Sequence, residues 1–275
     1  MDASRNALVM AHRGFRGIAP ENTLLAARKG FEAGAQWWEL DVAATSDGVL
    51  VVIHDDNLAR TTDAKAVFPI RSPWIVYDFS LEELRRLDAG SWYKAADPFG
   101  QVASGRVGAA ELERFKGERI PTLRECLELT KAEGRKVNVE IKDATGRACD
   151  GWIVERTVDM VRELGMIDSV NISSFNHEYL RRVKKAEPRI ETGALVDKRP
   201  PDLVALLRGL SARSYNPGIK YLDEATVREV RQAGFDVFVW TVNEKKDMER
   251  MLDWGATALI TDFPDRALEV VAARH

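Results

Sequence analysis

Cysteine, long apolar runs and an excess of charge of one sign are all scarce in this chain. Its 275 residues hold only two cysteines, Cys126 and Cys149, and neither belongs to a C-x-x-C pair. That excludes a disulfide framework and a thiolate-rich zinc site. Cys126 falls within an apolar helical pattern and reads as a buried thiol. No apolar run approaches the roughly 18 residues of a membrane span, so no transmembrane segment is expected. The opening MDASRNALVMAHRG lacks a basic stretch followed by the apolar core of a signal peptide, so a cytoplasmic protein is expected. The formal net charge is −3, which supplies no bulk basic field and argues against a nucleic-acid partner. No G-x-G-x-x-G follows the first apolar run, which removes the main signal for a dinucleotide fold.

What is present is ordinary core-forming material, 45% hydrophobic and 30% charged. Short apolar runs alternate with longer helical patterns almost to the end, the mark of βα units on a parallel sheet. Strands are predicted at 7–11, 37–43, 49–53, 137–141, 170–173, 191–196, 214–216, 237–241 and 258–261. Helices are predicted at 23–33, 121–133, 151–164, 178–185, 202–210, 224–233, 246–254 and 264–273. Asp47-Gly48 is a tight-turn signal, so the second and third strands form a hairpin rather than a βαβ unit. The count of about eight or nine strands fits a closed (β/α)8 TIM barrel of the α/β class better than an open sheet. The alternation breaks between about Asp63 and Glu118, where one helix, 81–87, is clear. This stretch is expected to be a small insertion after the early strands, lying over the C-terminal mouth of a single domain spanning 1–275.

A TIM barrel builds its active site at the C-terminal ends of its strands, and polar residues gather at those ends here. The first strand ends in His12-Arg13, the second carries Glu39-Leu40-Asp41 and the third ends in His54-Asp55. The next carries Glu140-Ile141-Lys142, and later ends offer Ser173, Ser174, Phe175, Trp240, Thr241, Thr261 and Asp262. Residues two apart on a strand share a face. If both pairs face the barrel axis, Glu39, Asp41 and Glu140 converge with the Lys142 ammonium. Carboxylates that close raise one another's pKa unless a cation compensates, and oxygen donors suit a hard divalent ion, Mg²⁺ or Ca²⁺. His177 and His275, at a helix start and the chain end, are assigned no role. In the loop after the first strand, Asn22 is a candidate helix N-cap.

Taken in order, the strings H-R-G, P-E-N-T, E-L-D, the D-G turn, H-D with L-A-R-T-T, E-I-K, W-T-V-N and I-T-D-F-P resemble the glycerophosphodiester phosphodiesterase family across nearly the whole chain. The resemblance implies a metal-dependent phosphoric diester hydrolase of lipid and glycerol metabolism. Its small-molecule substrates would be deacylated phospholipids such as glycerophosphocholine or glycerophosphoethanolamine, cleaved to sn-glycerol 3-phosphate and an alcohol. It implies His12 and His54 as catalytic residues, Glu39, Asp41 and Glu140 as metal ligands, and Arg13, Lys142 and Trp240 near the phosphate or substrate. It favours attack by the glycerol 2-hydroxyl through a cyclic phosphate; the sequence itself leaves direct attack by water open. The stretches 64–66 and 94–118 depart from the family pattern. The two imidazoles, with ordinary pKa values near ~6.5, suit acid and base duty at neutral pH.

Three other readings fit parts of the sequence. The same machinery could act as a lysophospholipase D, with Trp92, Tyr93, Phe99 or Phe115 of the insertion holding an acyl chain. Lys142 could form a Schiff base in a barrel aldolase, although the surrounding carboxylates oppose it. A non-catalytic binding barrel is disfavoured because the two-histidine, three-carboxylate set is complete. A homo-oligomer is compatible with the composition.

Overall fold

Eight of the apolar runs become the staves of a closed parallel barrel. The computed structural model describes residues 7–274. Its strands are β1 (Leu8–His12), β2 (Trp37–Ala44), β3 (Leu50–Val52), β4 (Lys136–Ile141), β5 (Val170–Ser174), β6 (Glu191–Val196), β7 (Ser214–Pro217), β8 (Asp236–Val239) and β9 (Ala258–Thr261). The ring runs β1-β2-β4-β5-β6-β7-β8-β9 and closes on β1. The ninth strand, β3, is antiparallel to β2 and stands outside the ring, as the Asp47-Gly48 turn implied. Eight helices cover the barrel: α1 (Leu24–Glu32), α6 (Leu123–Ala132), α7 (Ile153–Glu163), α8 (His177–Ala186), α9 (Leu203–Gly209), α10 (Glu224–Gln232), α11 (Lys245–Trp254) and α12 (Pro264–Ala272). Among the described residues no helix is long and apolar enough to cross a membrane.

The core lies between strands and helices, in two clusters. One gathers Trp38, Leu40, Val139 and Leu127; the other gathers Leu207, Val227, Val237 and Met251. Trp38 is fully buried, and its indole N–H donates to Thr130 Oγ1 at 2.8 Å, which satisfies the one polar atom it takes inside. The barrel interior is two-sided. Met10, Phe238 and Ile260 form an apolar patch, whereas Asn138 and Ser173 are joined by an amide-to-hydroxyl bond of 2.9 Å.

Between β3 and α6 the structure has four helices where periodicity showed one: α2 (Ala64–Val67), α3 (Leu81–Leu84), α4 (Trp92–Ala96) and α5 (Ala109–Phe115). Each spans two turns or fewer, too short for a 3.6-residue pattern to stand out. Leu58, Phe79, Leu84 and Leu87 pack with Val51 of β3. Tyr93 and Phe115 pack with Ala19 and Ala26, and the Tyr93 hydroxyl donates to the Gly17 carbonyl at 2.7 Å. Phe99 meets Phe263 edge to face. Tyr93 and Phe115 therefore do not line an acyl groove. Their rings are spent anchoring the insertion to the loop after β1.

Candidate active site

The register of the first strands assembles the site. In the parallel pairings His12 stands beside Glu39, and Asp41 beside Glu140. One oxygen from each of Glu39, Asp41 and Glu140 lies within 4.8 Å of the others, and all three residues are buried. Gly14 lets the chain leave β1 sharply. Its φ is +83°, and a Cβ there would meet the Ala26 backbone at 2.5 Å, so α1 packs directly on the turn. Arg13, also at positive φ (53°), donates its backbone N–H to Glu39 Oε2 at 3.0 Å.

The electrostatics follow from this crowding. Burial first, then the charges of Asp41 and Glu140, pushes the Glu39 carboxyl well above its ordinary value. Burial and Asp41 raise Glu140 in the same way. Burial opposes the Asp41 charge too, yet Arg13, Lys142 and His54 outweigh it and hold Asp41 down at about 2. Lys142 Nζ sits 2.9 Å from Glu140 Oε1 and 3.7 Å from Asp41 Oδ1. Those two carboxylates outweigh its burial and raise its pKa, so the amine stays charged and is a poor Schiff-base nucleophile. The donor set fits a hard divalent cation: three buried carboxylates converge, two of them held above their ordinary pKa by burial and by the charge of their neighbours.

Each histidine is paired with an aspartate. His12 Nδ1 donates to Asp262 Oδ1 and His54 Nδ1 to Asp55 Oδ1, both at 2.7 Å. A carboxylate can only accept, so Nδ1 carries the proton in each neutral ring and Nε2 is left free. His12 is buried, and that burial, with the Arg13 charge next, lowers its pKa although Asp262 pulls it up. His54 is more open, its side chain 32% exposed. Burial opposes the Asp262 charge, but His12 and Arg16 hold it at about 2. Asn243 donates to its second oxygen at 2.8 Å.

A cavity of about 190 Å³ joins these groups. His12, Arg13, Glu39, His54, Glu140 and Lys142 form its polar side; Phe175, Leu195, Trp240 and Ile260 form an apolar wall. Among the described residues, none of the lining side chains comes from 63–118. Trp240 lies just beyond β8, where its indole N–H donates to the Asn216 carbonyl at 2.9 Å and its ring meets Phe175 edge to face. Seven of the eight residues singled out from the sequence thus line one cavity, and the eighth, Asp41, adjoins it through Glu39 and Glu140. His177 stands apart, its Nε2 bonded to the Leu195 carbonyl at 2.9 Å. His275 lies outside the described residues. A larger groove of about 560 Å³ gathers Arg28, Arg85, Arg114 and Arg119, but each guanidinium is already bonded, to Glu133, Glu125, Glu111 and the Leu87 carbonyl respectively.

The loop after β1 corrects one expectation. Thr23, not Asn22, caps α1: its Oγ1 accepts from the Ala26 N–H at 3.1 Å and donates to the Pro20 carbonyl at 2.8 Å. Asn22 turns at φ 57° and donates its amide to Asp41 Oδ2 at 2.8 Å. Both residues are good caps, and the demand of Asp41 decides between them. Thr23→Ala should cost about 1 kcal/mol in chemical denaturation with little change in turnover, since Thr23 does not line the cavity. Asp262, Asp55 and Glu21 are the site residues that sequence reasoning left without a role. Each stood inside a quoted string, I-T-D-F-P, H-D or P-E-N-T, without spacing that revealed its partner.

Known proteins match this chain in sequence and in fold. The model of the glycerophosphoryl diester phosphodiesterase family matches residues 12–266. A glycerophosphodiester phosphodiesterase of Caldanaerobacter subterraneus subsp. tengcongensis is 38% identical over 264 residues, covering 96% of this chain and 97% of the relative. Another, from Bacillus altitudinis, is 34% identical over 95% of this chain and 97% of its own length. The solved structure of an Oleispira antarctica phosphodiesterase in complex with the product sn-glycerol-3-phosphate superposes with a TM-score of 0.83 at 28% identity, over 99% of this chain and 100% of that one.

Proposed function

Since the chain belongs to the glycerophosphoryl diester phosphodiesterase family and is a hydrolase of that class, we propose that it cleaves small glycerophosphodiesters to sn-glycerol 3-phosphate and an alcohol in this cavity. The observation that carries the reading is the pair of imidazoles facing a three-carboxylate cluster across about 190 Å³. Glu39, Asp41 and Glu140 would hold a divalent cation, which when bound neutralises phosphoryl charge and makes a nearby hydroxyl more acidic. Lys142 and Arg13 face the diester as fixed cations that need no reorganisation as charge builds. The attacking hydroxyl, from glycerol C2 or from water, gives its proton to one free Nε2 as the new P–O bond forms. The other imidazole, protonated, donates from Nε2 to the departing alkoxide as the old P–O bond breaks. The two roles then exchange for a second, ring-opening step where a cyclic phosphate has formed.

The size of the cavity and its lining favour compact headgroups. Its apolar wall is a few side chains deep, and the insertion aromatics Tyr93 and Phe115 are buried elsewhere. A panel of glycerophosphocholine, glycerophosphoethanolamine and the matching lysolipids, read by coupled detection of sn-glycerol 3-phosphate and of free headgroup, tests this. The deacylated diesters should turn over at least about 10-fold faster in kcat/KM, as expected where a long chain finds little apolar surface beyond that four-residue wall. Equal or faster release of choline from the lysolipid would reverse the assignment.

A further inference from the structure

We propose that Glu21 is a positioning residue that locks both imidazole–aspartate pairs into one frame through Arg16 and Arg60; the inference rests on the acid–base reading above. The Glu21 side chain is 2% exposed, yet it touches neither histidine. It accepts from three guanidiniums: Arg13 Nη1 at 2.9 Å, Arg16 Nε at 2.8 Å, and Arg60 Nη1 and Nη2 at 3.0 and 2.6 Å. Two of those arginines continue outward. Arg16 Nη1 reaches Asp262 Oδ1 at 3.4 Å. Arg60 Nε donates to Asp55 Oδ2 at 2.5 Å and its Nη2 to Asp55 Oδ1 at 3.1 Å. The path His12–Asp262–Arg16–Glu21–Arg60–Asp55–His54 is therefore unbroken, with one carboxylate at its centre.

The chemistry explains why a carboxylate stands there. Four N–H donors converge on two oxygens, and only a carboxylate accepts all of them. Glutamine at this place would turn an NH₂ group toward guanidinium N–H groups, donor against donor. At least one arm would have to swing away, and its aspartate would lose a guanidinium that fixes its rotamer. The imidazole at that end would then lose the orientation of its acceptor, and with it the preference for the proton on Nδ1. Glu21 is itself held by its loop. The Asn22 N–H bonds the Arg13 carbonyl at 2.9 Å, and the Thr23 hydroxyl bonds the Pro20 carbonyl. Ring placement matters at this precision, because small misplacements of a reacting group carry large rate penalties.

The test is ¹⁵N imidazole NMR of the full chain, without added divalent ion and again with Mg²⁺, each ring assigned by single histidine replacements. Glu21→Gln should move at least one of His12 and His54 from the Nδ1–H tautomer toward a mixture while leaving His177 unchanged. Arg16→Gln should disturb His12 alone and Arg60→Gln His54 alone. In turnover Glu21→Gln should lower kcat on the order of 10-fold, with a larger effect on kcat than on KM. A folded Glu21→Gln protein whose two tautomers match the wild type would overturn the proposal, as would single-arm variants that each disturb both rings. If Glu21→Gln does not fold, the two arginine variants decide by the same criterion. Failure of the wild type to hydrolyse any glycerophosphodiester would remove the functional reading, while the tautomer pattern would still decide the role of Glu21.

Discussion

His12→Ala and His54→Ala should each lower kcat by about 10²-fold or more while leaving the fold intact. Both rings stand at strand ends against the cavity, and each loses only one Nδ1 bond to an aspartate when removed. The loss therefore falls on proton transfer, with little on packing. The two variants should separate on substrate choice. A diester with a nitrophenolate leaving group departs without a proton, so it should recover much of the loss in the variant missing the acid and little in the one missing the base. His177→Ala is the control, because its ring bonds a backbone carbonyl and does not line the cavity. Steady-state kinetics on both substrates with all three variants give the answer. Near-normal turnover in both cavity variants would leave the cations alone to account for catalysis.

The parts of this molecule that could be read in its sequence are those fixed by short-range periodicity. Glu39 and Asp41, two apart on a buried strand, had to share a face. Glu140 and Lys142 repeat that spacing on β4, the strand paired with β2. The barrel followed from the same alternation, and Asp47-Gly48 marked β3 as a hairpin partner outside the ring. Trp37 and Trp38 point to opposite sides for the same reason: Trp38 packs against α6, and Trp37 joins the interior patch with Met10.

What stayed hidden depends on pairings that no local pattern encodes. Glu21 meets Arg60 across 39 positions and His12 meets Asp262 across 250, so neither contact has a spacing to recognise. Asn22 and Thr23 are equally good caps by local preference, and the choice was made by Asp41 on a neighbouring element. The insertion hid for a different reason. Its helices of four to seven residues take their stability from the clusters around Phe79 and Tyr93 rather than from an amphipathic repeat of their own.

Removal of divalent cations should abolish turnover and lower Tm, with Mg²⁺ or Ca²⁺ restoring both. The three carboxylates share a space 4.8 Å across, and the cations already present serve other partners as well. Arg13 is shared with Glu21, and Lys142 spans Glu140 and Asp41. A divalent ion that binds only the folded chain stabilises it by about 2.7 kcal/mol at 100-fold its Kd, which for a domain of this size is a rise of several degrees. Asp41→Asn should erase that rise along with the activity, since Asp41 carries the cluster's most firmly ionised carboxyl. Glu39→Gln gives the opposite sign in metal-free protein. It puts a neutral group where burial and the Asp41 and Glu140 charges disfavour an ionised carboxyl, and its amide oxygen can still accept the Arg13 N–H, so Tm should rise above the metal-free wild type even though turnover is lost. Scanning calorimetry with and without a chelator, run beside the coupled assay, reads both quantities. Full turnover in a thoroughly metal-free preparation, or an undiminished Mg²⁺- or Ca²⁺-induced rise in Tm for Asp41→Asn, would show that these three carboxylates do not hold the ion.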